Sequence, residues 1–452
     1  MQVRESMKTP ESCSPERAAF ITEQIVRTDA STPDAMINKH NKMADNPFSF
    51  YRGSAQLFYA DLHAGSIKVP APLHRLPLTC VTGDCHLSNF GFITEEGSHG
   101  DNVIFAPNDF DDACVGHAHW DIIRYLCSLI LAADYCQGIE SGQYLHPKNK
   151  ADKPAVSQTD VTKAMSLFLE QYIATCQALH TGLLPRAAAV ESVPEGAKLH
   201  KAFCKAQRRS ALGEEFVTKS ALAKAIYMAD DGLQFIQNTD KFSPLASHHY
   251  NEIAAAFAPY MDDEIIDIVV RNNAGTGSVN LERFYFLVGP ARPHDEQSFA
   301  RCHIVEVKQQ REAAPLYYFR DLSPINRLNP AHLTARCQRR MQRRPDLLLD
   351  EAIWQNKHYL VRSRHHARVS IKPEDIGLGK KNIAGGFDDF AALCGKALAL
   401  AHARSDRRST RFEEKASRMI AANSHALVDS ASLYANQVMS DYAWFVGALS
   451  EK

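Results

Sequence analysis

Residues 81–124, VTGDCHLSNFGFITEEGSHGDNVIFAPNDFDDACVGHAHWDIIR, set carboxylates and amides at the ends of short apolar runs. An apolar run of strand length has to be buried, whereas a carboxylate keeps its charge only beside water, a cation or a metal. LPLTCVTGD reads as a buried strand ending at a turn, and NVIFAPNDF (102–110) as a second, giving a strand–loop–strand unit. Asp84 and Asn89 stand five residues apart in the loop leaving the first strand. Asp109 ends the second and is followed by Phe110, Asp111 and Asp112.

Around this unit the periodicity is mostly helical. A helix is predicted from Pro15 to about Ala44 with a break at Pro33, and another from Asn46-Pro47 through FSFYRGSAQLFYADLH. A long helix follows over about 118–136, and helical spacing continues over 158–180 and 196–228. The texture changes near residue 262, where DIVVRNN, AGTGSVN, LERFYFLVG and ARCHIVEVKQQ read as strand, Gly-rich turn, strand and strand. A basic helix over 331–343, a strand HYLVRS (358–363) and helices from Phe387 onward complete an α+β pattern.

Phosphoryl transfer needs a carboxylate for the acceptor hydroxyl, and an amide plus a carboxylate for magnesium. Magnesium favours such hard oxygen ligands, and a divalent ion offsets the repulsion between neighbouring acids. Asp84, Asn89 and Asp109 are the right residue types for these tasks. The bland alternative is that Asp84 and Asn89 cap turns and Asp109 caps the following helix. A triphosphate also needs closely approaching backbone amides and a cation. Gly275-Thr276-Gly277-Ser278 lies between two strand patterns, and Lys308 ends the next strand. A hairpin turn and a solvated lysine account for the same residues without a ligand.

Gly83-Asp84-Cys85-His86-Leu87-Ser88-Asn89 resembles the H-G-D-x-H-x-x-N loop of the aminoglycoside-phosphotransferase and choline-kinase-like branch of the protein-kinase fold, with Thr82 where a His often stands. Asn108 to Gly116 with Asp121-Ile122-Ile123 resembles the I-D-[FW]-[DE]-x-A-x-x-G segment and the D-L-A-like triplet of that branch. The resemblance implies Asp84 as catalytic base, Asn89 and Asp109 as metal ligands, and Asp121 as brace of the loop, with His86 and Asp111 in support. The Gly-rich turn and Lys308 come after the catalytic segment, so it also implies a circularly permuted, two-lobed kinase-like arrangement. Its parts are a disordered tail 1–15, a helical lobe 16–260 with the catalytic segment, a nucleotide-binding β-rich lobe 261–365, and C-terminal helices 366–452 completing the helical lobe. RGSAQLFYADL, GDCHLSNFG, NDFDDA, GTGSV, EVK and YANQVMSDYAWF together resemble an uncharacterised bacterial family, domain of unknown function 2252, across roughly 38–446. Two departures stand out: Asn280 replaces a glycine, and Lys308-Gln309-Gln310-Arg311-Glu312 replaces K-E-A. The second leaves Glu312 as a weak choice of partner for Lys308.

The expected function is an ATP- and Mg-dependent phosphotransferase acting on an unidentified small molecule or protein. A nucleotide-binding pseudoenzyme or interaction module is the alternative, nucleotidyl transfer stays open, and so does oligomeric state. Gly83-Asp84-Cys85-His86 also matches part of a binuclear phosphoesterase pattern, with Asp61-Leu62-His63 upstream but no G-N-H-E downstream. His402-Ala403-Arg404-Ser405-Asp406 imitates a kinase H-R-D loop, yet Arg411 stands where asparagine is required; Arg404 is kept only as a phosphate contact. Arg52 is either an ion-pair partner or a phosphate contact. The basic runs at Arg336–Arg344 and Arg404–Arg411 are solvated faces or anion attractors.

Net charge is -1, so no global field favours nucleic acid or anionic lipid as partner. Eleven scattered cysteines, without an apolar leader or a run of about 18 apolar residues, point to reduced thiols, a cytoplasmic location and no membrane span.

Overall fold

The computed structural model describes residues 13–148, 152–230, 232–237, 240–272, 281–291, 293, 295–406 and 409–450. Four short strands occupy the segment read as strand–loop–strand: β1 (Thr79–Val81), β2 (Phe90–Thr94), β3 (Val103–Pro107) and β4 (Cys114–Gly116). The two expected strands do not form one unit. β1 pairs antiparallel with β4, Cys80 opposite Val115, while β3 pairs with β2, Phe105 opposite Phe92. All five residues of β2 are buried, so it lacks the alternation that marks a half-exposed strand.

The stretch 196–228 is a correction to the helical expectation. Only His200–Arg208 and Phe216–Lys219 are helical, and Ile226 opens a hairpin of β5 (Ile226–Ala229) with β6 (Gly232–Phe235). Then come β7 (Phe242–Pro244), β8 (Glu264–Arg271), β9 (Arg283–Gly289), β10 (His303–Gln309), β11 (Leu349–Trp354) and β12 (Lys357–Ser363). They form one antiparallel sheet in the order β11-β12-β10-β9-β8-β7. Each face carries an apolar cluster. Phe216, Leu222 and Phe235 cover one, and the helix Ser247–Phe257 covers the other, its Phe257 set against Phe284, Phe286 and Tyr359. Directly after β12, β13 (Arg368–Ser370) leaves the sheet and pairs with β2, Val369 opposite Phe92.

The helices start and stop where local chemistry dictates. Pro15–Asp29 begins with Ser14 accepting from Arg17 N and a proline in the first turn, and ends at left-handed Ala30. Asn38–Met43 is separate, so the break expected at Pro33 is a full interruption. The helix expected after Asn46 is likewise two, Pro47–Gly53 and Ala55–His63. Gln158–His180 has a reciprocal Ser157–Asp160 cap. Gly386–Ala403 packs on it so closely that a Cβ at Gly395 would lie 2.2 Å from the Phe168 carbonyl oxygen. Arg411–Ala422 and Ser424–Ser450 finish the chain.

Ala118–Glu140 is long and apolar enough to cross a membrane, but most of it is buried in the principal core with β1–β4 and the surrounding helices. All eleven cysteines are free thiols, and nine of them are buried. The chain is α+β, about half helical with antiparallel sheets.

Candidate functional site

β1 ends at Val81 and the chain turns at Thr82 and Gly83. Gly83 has φ +75°, and a Cβ there would lie 1.8 Å from the Asp112 carbonyl oxygen, so the turn is pressed against the second acidic segment. Asp121, in the first turn of Ala118–Glu140, accepts from Thr82 N at 2.7 Å, Thr82 Oγ1 at 3.0 Å and Gly83 N at 3.2 Å. His402 Nε2 reaches the same carboxylate at 3.1 Å.

Asp84 follows this anchored turn. Its Oδ1 accepts from Arg124 Nε at 2.9 Å and Nη2 at 2.6 Å. Arg124 is completely buried and lies 4.2 Å from the Tyr51 ring centre. Burial pushes the Asp84 carboxyl up to about 6; Arg124 opposes the rise, and Asp112 and Asp109 add to it. That places the group near the range useful to a general base. His86 Nε2 is 3.6 Å from Asp84 Oδ2, and burial, Arg52 and Arg124 hold its imidazole far below the usual pKa, hence neutral. Asn89, ending a one-turn 3₁₀ helix, donates from Nδ2 to the Asp84 carbonyl oxygen at 2.9 Å. That bond orients the amide and leaves Oδ1 as its ligand atom.

Asp109 lies just past β3, where Asp111 N donates weakly to its Oδ1 at 3.4 Å. Burial raises the Asp109 carboxyl, and the neighbouring Asp111 raises it further. Asp111 goes the other way. Burial alone would raise it, but Lys308 and Arg362 outweigh that and hold it below the usual carboxylate range. Lys308 Nζ, on β10, donates to Asp111 Oδ2 across 197 residues of sequence.

The sheet sets cations around Lys308 by register. Residues 306 and 308 share a face because side chains alternate along a strand. Glu306 lies opposite Arg362 on β12, and Lys308 lies opposite Arg283 on β9. Glu306 accepts from Arg362 Nε at 3.0 Å and Arg364 Nη1 at 3.1 Å, with Arg283 Nη1 at 3.7 Å. Burial would raise this carboxyl; the three arginines and Lys308 drive it far below its ordinary value. The acidic loops and this basic wall line one cavity of about 370 Å³, whose floor includes Asp84, Asn89, Asp109, Lys308, Arg52 and Arg362. Arg52 Nε is sealed from solvent without a hydrogen-bond partner, and burial lowers its pKa despite Asp84 and Asp109.

Other expected residues fall elsewhere. Glu312 does not meet Lys308; it lies beyond the strand end and receives Arg320, while Asp111 takes the lysine. Arg404 does not line this cavity, and it donates to Met341 O at 2.9 Å and to Ala188 O. Asp61 is taken by Arg17 and Tyr434, and His63 packs on Tyr318 and Phe319. Gly275, Thr276, Gly277, Ser278 and Asn280 lie outside the described residues. Arg124, Arg283, Glu306, Arg362, Arg364 and Arg368 were not singled out by the sequence reading. The one legible signal was Arg124, a charge inside the apolar run WDIIRYLCSLI.

Among the described residues, no three or more His, Cys, Asp or Glu are grouped to hold a metal ion. Asn89 and Asp109 supply one amide and one carboxylate, a set that fits an ion whose remaining ligands are water and phosphate. Burial and Asp111 keep the Asp109 carboxyl raised although Lys308, Arg368 and Arg362 oppose them, and that net direction favours a further cation there.

Residues 31–448 match a family described as uncharacterized protein conserved in bacteria (DUF2252). No curated protein and no solved structure matches the chain.

Proposed function

The chain belongs to that uncharacterized bacterial family, and from its cavity we propose an ATP- and magnesium-dependent phosphotransferase with a circularly permuted, two-lobed, kinase-like arrangement. The observation that carries this reading is that Lys308 lines the same cavity as Asp84, Asn89 and Asp109. An isolated turn cap or a solvated strand-end lysine has no reason to be there. In this reading the helical lobe combines 16–260 with 366–452, and the β-rich lobe 261–365 supplies the cations.

Each residue then has a task set by its surroundings. Asp84 orients the acceptor hydroxyl and takes its proton as the oxygen attacks the terminal phosphorus. The bond to the bridging oxygen breaks and the nucleoside diphosphate leaves. Arg124 fixes the Asp84 rotamer, Asp121 fixes the turn before it, and neutral His86 adds no competing charge. Lys308 exchanges Asp111 for phosphate oxygens, while Arg362, Arg364 and Arg283 make the wall attractive to a polyanion. Asn89 and Asp109 would hold magnesium, which when bound neutralises charge on the phosphates.

The decisive variant is Asp109→Ala. Magnesium-dependent binding of a non-hydrolysable ATP analogue, followed by calorimetry, should disappear while circular dichroism and melting temperature stay close to wild type. Undiminished binding by a folded variant would refute the assignment.

A further inference from the structure

Both basic runs of the sequence meet at a second cavity, of about 380 Å³, that shares no lining residue with the first. Arg340 enters from the helix Pro330–Met341, and Arg404 from the residue ending Gly386–Ala403. Arg186 joins them from the loop after Gln158–His180, and Leu179 and Leu400 supply apolar wall.

The partners of these charges are uneven. Arg343, also on the wall, is committed to Glu95 and Glu191. Among the described residues, Arg404 donates from its terminal nitrogens to two backbone carbonyls, and its Nε is sealed from solvent without a partner. Arg340 makes no ion pair or hydrogen bond with any described residue. On the facing helix Arg411–Ala422, Glu413 is buried and its Oε2 is sealed and unpartnered. A buried donor or acceptor left unmet keeps its full desolvation cost, and a charged group costs more. Apolar substitution would remove such a cost, yet the lining of this cavity includes one residue with an unmet donor, one with an unmet acceptor and a spare arginine.

We propose that this cavity binds a small molecule with an oxyanion group, phosphate or carboxylate, seated on Arg404 and Arg340, and with a hydroxyl or ammonium group donating to Glu413. The guanidinium groups match oxyanion geometry, and the apolar walls raise the worth of each polar contact. Burial lifts the Glu413 carboxyl above its usual pKa, and Asp406 on the same wall adds to the rise, although its own backbone amide, Arg186 and His180 oppose it.

The test is calorimetric titration of the full chain with two matched pairs, malate against succinate and glycerol 3-phosphate against propyl phosphate. One pair should bind saturably, and its hydroxyl-bearing member should bind roughly tenfold tighter, the worth of about one hydrogen bond. Which pair binds identifies the oxyanion as carboxylate or phosphate. Arg340→Ala, at a side chain with no described partner, should keep the wild-type melting temperature and weaken binding by about tenfold or more. Glu413→Met, similar in volume but without an acceptor, should erase the preference within the pair. Lys308→Met, altered only in the first cavity, should bind as wild type does. Absence of saturable binding by all four compounds overturns the proposal. So does binding that survives Arg340→Ala and is lost in Lys308→Met, because the anion would then occupy the first cavity. Equal affinity within the binding pair overturns the role of Glu413.

Discussion

The carboxyl groups of Asp111, about one-quarter exposed, and of buried Glu96 are sent in opposite directions by their surroundings. Asp111 has Lys308 and Arg362 beside it and stays charged. Glu96 accepts from a hydroxyl and an amide, Thr94 Oγ1 at 2.8 Å and His366 N at 3.2 Å, and the His365 ring 3.8 Å away is held neutral by burial. Burial pushes Glu96 up to about 8, with Asp346 contributing. Folding therefore retains a proton that the unfolded chain releases above its ordinary value of 4.5. The resulting stabilisation is whole below that value and is lost as pH rises through about 8. Across this window one such group changes stability by about 1.4 kcal/mol per pH unit. Glu96→Gln keeps the hydrogen bonds and removes the titration. Urea unfolding at pH 5 and pH 7.5 should show the variant gaining on wild type at the higher pH; a constant difference would mean Glu96 is already ionised in the fold.

At the scale of elements, the turn between β1 and Asp84 is held by contacts that leave no room for a side chain. Gly83→Ala demands a left-handed alanine, costing roughly 1–2 kcal/mol, and drives its Cβ into the Asp112 carbonyl. Chemical denaturation should register a loss of at least about 2 kcal/mol. The same variant should weaken nucleotide binding, since Asp84 would move with the turn. This region also shows what can be read from a sequence. Gln158–His180 was legible because Ser157 and Asp160 mark its start and its apolar residues keep helical spacing. β4 and β13 were not, since three residues carry too little periodicity, and both exist only through distant partners. That Asp84, Asn89, Asp109 and Lys308 would share one cavity was legible, because their residue types and spacing set them apart from the runs around them. Arg283, Arg362 and Arg364 were invisible: the first two reach the cavity through strand register against Lys308 and Glu306, and the third directly follows β12, which no local pattern encodes.

For the molecule as a whole, the question is what makes sheet and helices one cooperative unit, given that β7–β12 carry their own apolar clusters on either face. The chain crosses between sheet and principal core after β10 and again after β12. At the first crossing Ala313, Ala314 and Leu316 already belong to the principal core. Asp112 secures that crossing, accepting from Arg311 Nη1 at 2.8 Å, Arg311 Nη2 at 3.0 Å and Ala314 N at 2.7 Å. At the second, β13 joins β2. Asp112→Ala removes the carboxylate at the first crossing and takes two hydrogen bonds from the Arg311 guanidinium, which is about one-quarter exposed and still donates to the Glu312 carbonyl. Because solvent can reach Arg311, the cost should fall below the 3–5 kcal/mol of a fully buried broken pair, at about 2 kcal/mol. Hydrogen exchange locates the loss. If Asp112 couples the two cores, amides of β9, β10 and β12 should lose protection while those of Ala118–Glu140 keep theirs, and the single unfolding transition should begin to split. Uniform loss of protection with one sharp transition would show that the β13–β2 pairing alone keeps the cores cooperative.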